Sequence, residues 1–152
     1  MQALAIALHV LAVVIWVGGM FFAYMFTRPA AVESLEAPER LKLWNGIFRR
    51  FFPWVWLAIA VILATGYWYI FSVLGGMDSA RLHIHTMNGL GFLMMAIFLH
   101  VFFAPYGRLK KAVAAGDWQE GGRNLGQIRW LVGLNTLIGL VTIVVGAGGQ
   151  YF

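Results

Sequence analysis

The sequence contains no cysteine. Disulfides, thiolate-held zinc or copper, iron–sulfur clusters and covalently attached c-type haem are therefore excluded. Charge is nearly as scarce: 11% of the 152 residues are Asp, Glu, Lys or Arg, against about 25% in a soluble domain. None of these four types falls in the deep part of a long apolar run. That leaves no material for a carboxylate-based proton pump or an ion-coupled transporter. A serine or cysteine nucleophile with a partnered base is missing too.

What is present is apolar: hydrophobic residues make up 61% of the chain. They gather in four stretches, approximately Ala3–Phe26, Phe52–Leu74, Leu82–Ala104 and Trp130–Gly146. At a rise of about 1.5 Å per residue, each stretch crosses a hydrocarbon core of roughly 30 Å as a helix. The expected fold is all-α, an integral-membrane four-helix bundle, with residues 1–152 forming a single transmembrane domain. The first stretch lacks a basic leader and exceeds a signal-peptide core, so it reads as a retained span.

The net charge of +5 is a topology signal. Arg28, Arg40, Lys42, Arg49 and Arg50 lie between the first and second runs, and Arg108, Lys110, Lys111, Arg123 and Arg129 between the third and fourth. Arg81 alone falls in the remaining connection. The positive-inside rule then predicts both long loops in the cytoplasm and both termini in the periplasm of a bacterial inner-membrane protein. The lipid bilayer is the expected partner, aided by anionic headgroups, and nucleic acid is not.

Punctuation along the chain refines the expectation. Arg28-Pro29 predicts the end of the first helix, because proline disfavours helix in the residue before it. Leu41, Trp44, Ile47 and Phe48 stand at helical spacing in a segment expected to lie along the interface before turning inward near Pro53. Gly75-Gly76-Met77-Asp78-Ser79 predicts a tight turn, and Pro105-Tyr106-Gly107 the end of the third span. A helical extension, Arg108–Ala115, stops at Gly116-Asp117, and Gly121-Gly122 predicts a break before the last span.

Histidine is the ionisable residue left inside the spans. His9 and His85 enter from the same side, in the first and third runs, while His100 lies about 22 Å further along the third helix than His85. His83 points about 200° away from His85 and is the weaker candidate beside it. Two imidazoles from facing helices, with small residues and aromatics around them, are how bundles hold haem b. The main expectation is therefore one haem b, ligated axially by His9 and His85 and lined by Trp16, Gly89 and Phe92. Six-coordinate iron favours electron transfer, with a quinone or a periplasmic redox protein as partner. The rival reading is copper, held by His9, His83 and His85 with Met77 and Met87 nearby. A role for His100 in a second site between protomers would make the protein a homo-oligomer.

Two resemblances bear on that choice. His9, Trp16, Val17, Gly18 and Gly19, ending in Arg28-Pro29, resemble the first helix of the CopD copper-resistance family. The whole length resembles, more loosely, the HemJ-type protoporphyrinogen oxidases. Arg49-Arg50-Phe51-Phe52 with Gly66 is similar to that group's second helix, Leu82-His83-Ile84-His85 through His100 to its third, and Asn135 falls in the last. The HemJ resemblance implies bound haem b and an oxidoreductase activity; the CopD resemblance implies copper uptake across the inner membrane. Where the HemJ-type third helix carries a lysine, this chain has His85, and Tyr24-Met25-Phe26-Thr27 stands where the arginine pattern of its first helix would lie.

Overall fold

The computed structural model describes residues 1–151; Phe152, the last residue of the expected domain, lies outside them. The first helix, α1, runs Gln2–Ser34, and the second, α2, runs Ala37–Ser72. A 3₁₀ turn at Met77–Ser79 leads into α3 at Leu82–Phe103, which bends at Ala104 into α4, Pro105–Ala115. The last helix, α5, is Trp118–Gly148. Among the described residues there is no strand. Four helical rods, counting α3 with α4 as one, are long and apolar enough to cross a membrane. Their outer surface carries exposed Leu4, Phe22, Trp54, Phe103, Leu137 and Val144, side chains that only lipid covers without cost.

Three boundaries differ from the sequence expectation, each for a local reason. Helix α1 does not stop at Arg28-Pro29 but continues to Ser34. A π turn at Ala23–Thr27 precedes Pro29, which falls at the start of a fresh α segment. There a missing N–H breaks no bond. Helix α2 begins at Ala37 and passes straight through Pro53, so the segment expected on the interface is the first turns of a 36-residue rod. Its Leu41, Trp44 and Phe48 are buried in the core. Gly121-Gly122 is no break either. Gly121 is buried in α5, and a methyl group there would meet Leu41 Cδ1 at 3.1 Å, so the glycine permits α2 and α5 to touch.

Other punctuation reads as expected. Gly75 and Gly76 take φ of +83° and +127° in the tight turn between α2 and α3. Gly116 closes α4 in the left-handed conformation at φ +71°. Asp117 then caps α5, its carboxylate accepting from the Glu120 N–H at 3.0 Å.

The bundle has two unlike ends. At the end where Leu35-Glu36 and Gly116-Asp117 join the rods, the loop side, Phe48, Phe52, Phe98 and Tyr106 pack in a column, with Phe52 and Tyr106 4.8 Å apart in an edge-to-face contact. Arg108 ties α4 to α5 there, donating from Nε to Asn124 Oδ1 at 2.8 Å and from Nη2 to Gln127 Oε1 at 2.9 Å. At the end bearing the termini, α1 packs on α2 and α3 on α5. A cavity opens among all four rods there.

Candidate functional site

The termini-side cavity holds about 560 Å³. Its lining contains no Asp, Glu, Lys or Arg; its polar groups are His9, His83, Thr65, Asn88, Thr142 and the two tyrosines Tyr67 and Tyr69. Met87, Met94 and Met95 supply thioethers. A second cavity of about 650 Å³ lies toward the loop side, and Trp16 lines both.

His9 is the best-defined group. Its Nδ1 lies 2.9 Å from Thr65 Oγ1, across the α1–α2 contact. The Thr65 hydroxyl has one proton, and it donates that proton to the Val61 carbonyl at 2.6 Å. Its oxygen is thus free only to accept, so His9 must carry its proton on Nδ1. Nε2 is left as an unprotonated lone pair on a side chain that lines the cavity. Metal-binding histidines are commonly oriented in this way by a partner on the other nitrogen. Gly66 makes the room: a methyl group there would stand 3.3 Å from His9 Cε1.

Helix α3 is turned so that His83, Met87 and Met94 face the cavity. Residues 82, 85, 86, 89, 93, 96, 100 and 103 form its exposed face at helical spacing. The expected pairing of His9 with His85 is therefore not formed. His85 and Gly89 lie outside the cavity, and His83, ranked below His85 on sequence, points into it. The angular argument that separated 83 from 85 was sound, but the face chosen was the wrong one. Of the expected pocket residues, Trp16 is buried between the two cavities, and Phe92 reaches the lining while staying 48% exposed. His100 is exposed near the far end of α3. Met77 lies in the 3₁₀ turn outside the cavity lining.

The three-imidazole copper set of His9, His83 and His85 is not assembled either. Among the described residues, no three or more His, Cys, Asp or Glu side chains converge as a metal site. The cavity lining instead carries imidazole nitrogen and thioether sulfur, the donor types that soft ions accept. Thr65 as orienting partner and Met94 as a cavity thioether escaped the sequence reading. The spacing of His83, Met87 and Met94 at i, i+4 and i+11 was the signal that could have found the seam.

Four spanning rods around a charge-free cavity with nitrogen and sulfur donors define a multi-pass membrane protein equipped for a soft ligand. The profile of the copper resistance protein D family matches residues 45–148, more than half of the sequence, and the chain belongs to that family. It is thereby a copper-related bacterial membrane protein. It is also 28% identical over 131 residues to the copper transport protein CutJ of Bacillus subtilis (strain 168), which covers 86% of this chain. The chain spans 23% of the length of that relative. No solved structure matches. These findings favour copper, the rival reading on sequence, and lend none of their weight to haem b, its iron or an electron-transfer role.

Proposed function

We propose that the protein accepts Cu(I) in the termini-side cavity and passes it across the bacterial cytoplasmic membrane. The positive-inside rule supports a periplasmic position for that cavity, since the basic residues of the helix ends around 28–50 and 108–129 gather at the other end. Copper is cargo here, so a permanent closed site is not needed. A soft monovalent ion suits imidazole and thioether donors, and it needs no buried carboxylate to neutralise a second charge. The membrane location and the copper association of the family support the same reading.

The observation that carries it is the 2.9 Å contact of His9 Nδ1 with the Thr65 hydroxyl. The hydroxyl of Thr65 leaves Nε2 with a free lone pair in a cavity that His83 and Met87 also line. The test is uptake of Cu(I), kept reduced, into liposomes containing the purified protein and a trapped chelator. His9→Ala is expected to lower uptake by about 10-fold or more, the scale on which metal sites respond to far gentler changes. Uptake by the wild type no faster than by empty liposomes, or a haem spectrum in the protein as purified, would overturn the assignment.

A further inference from the structure

The contact between α3 and α5 carries a pattern that the entry cavity does not require. Helix α5 and the 3₁₀ turn Gly149–Tyr151 that follows it place glycine or asparagine against four soft donors of other helices. A methyl at Gly149 would strike the Cβ of His83 and stand 2.9 Å from its Cγ. A methyl at Gly146 would stand 3.0 Å from Met87 Sδ, and one at Gly139 would stand 2.9 Å from Val17 Cγ2 and 3.1 Å from Met94 Cε. At the next turn, Asn135 Nδ2 lies 3.8 Å from Met20 Sδ and 3.3 Å from the Met94 carbonyl. The antiparallel registers match: 83, 87 and 94 ascend on α3 while 149, in the 3₁₀ turn after α5, and 146 and 139 on α5 descend. Four donors thus follow one seam from the termini toward the middle of the bundle.

The seam ends at the partition between the two cavities. Met94 lines the termini-side cavity; Met20 and Asn135 line the loop-side one. Asn135 is 3% exposed, and its Oδ1 has no hydrogen-bond partner. A buried amide oxygen without a partner costs about 1–3 kcal/mol in general, and this one stands where the two cavities meet. We infer that His83, Met87, Met94 and Met20 form a relay of soft donors that hands Cu(I) along the α3–α5 seam, past the polar side chain of Asn135, into the second cavity. The inference rests on the copper reading above and adds the path.

Each transfer is a ligand exchange. One copper–ligand bond forms as the one behind it breaks, copper–nitrogen at His83 and copper–sulfur at the methionines, and the ion stays Cu(I) with no electron or proton moved. Positions 139 and 135 on α5 are about 6 Å apart along the axis, short enough for a direct hand-off across the partition. The interval between 146 and 139, about 10.5 Å, lies inside the open cavity, where the ion moves without a fixed bridge.

Plain packing of methionine over glycine is the competing account, and the two differ on what replaces the thioether. Met94→Leu keeps apolar volume and removes sulfur; Met94→Cys keeps sulfur and removes volume. With the same liposome assay, the relay requires Met94→Leu and Met20→Leu each to slow Cu(I) uptake by about 10-fold with thermal unfolding unchanged. It also requires Met94→Cys to be faster than Met94→Leu. Packing requires the reverse order, and that order would overturn the relay. So would full uptake by both leucine variants while His9→Ala is slow, an outcome that leaves copper entry standing. If no variant and no wild type moves copper, the entry reading falls and the relay with it. Copper X-ray absorption gives a readout independent of uptake: sulfur scatterers in the loaded wild type must diminish in Met87→Leu/Met94→Leu, and sulfur-free spectra in the wild type would overturn the relay.

Discussion

The two cavities are of similar size but are built from opposite chemistry. The termini-side cavity is lined by no charged residue, and its polar groups are imidazoles, hydroxyls and amides beside thioethers. The loop-side cavity is lined by Arg28, Arg40 and Arg129, by no acid, and otherwise mainly by aromatic and aliphatic side chains. Among the described residues, none of those three arginines belongs to an ion pair; the two pairs present are Lys42–Glu39 and Arg123–Glu120. A soft cation is therefore stabilised by ligands at one end of the protein and repelled by charge at the other. On the proposed function, entry and retention would belong to the first cavity and release to the second. The asymmetry also offers a division of stability from function, since the aromatic column and the fully buried Leu109 lie at the loop end and the candidate donors at the other.

The largest expected effect tests that division. Leu109 in α4 is fully buried against the loop-side core. Leu109→Ala should lower stability by about 2–5 kcal/mol through lost burial and a residual void. Measured by unfolding in detergent, the loss should come with unchanged Cu(I) affinity in the fraction that remains folded. A parallel fall in affinity would show that the two ends are not separable.

The next effect is smaller and falls on the other end. Thr65→Val keeps the shape of the side chain but removes the oxygen that accepts from His9 Nδ1. The ring then loses its orienting partner and its fixed tautomer, and Cu(I) affinity should fall by about 10-fold. Thr65→Ser, which restores the hydroxyl, should recover most of it. Competition with a chromophoric Cu(I) chelator measures both. An unchanged affinity in Thr65→Val would detach His9 from the site.

Much of this molecule could be read from its residues, and the exceptions share a cause. The four spans, the Gly75-Gly76 turn and the Gly116-Asp117 boundary follow from apolar length and from conformations that only glycine adopts readily. The ends of α1 and α2 were missed because a π turn before Pro29, and a membrane helix through Pro53, absorb the breaks that proline would make in an isolated helix. The site was half legible. His9 was found because a histidine deep in an apolar run is costly. The choice between His83 and His85 could not be made, because on an apolar helix either face can meet lipid. Only the fit of Met87 and Met94 against Gly146 and Gly139 turns α3, and that is a matter of packing between helices distant in sequence.

The choice of face leads to the smallest expected effect. His85 lies on the exposed side of α3 with Gly89 and His100, and the cavity lining passes it by. His85→Ala should leave Cu(I) affinity and uptake unchanged, while His83→Ala, two residues away, should weaken both. The pair of variants shares a helix, a depth and a chemistry, so local disruption of the membrane end of α3 would affect them alike. A difference between them can come only from which side each ring faces. If His85→Ala proved the more damaging, the termini-side cavity would not be the place where metal enters. The donors would then have to be sought on the outer face of α3, where a second copy of the chain could supply the missing partner.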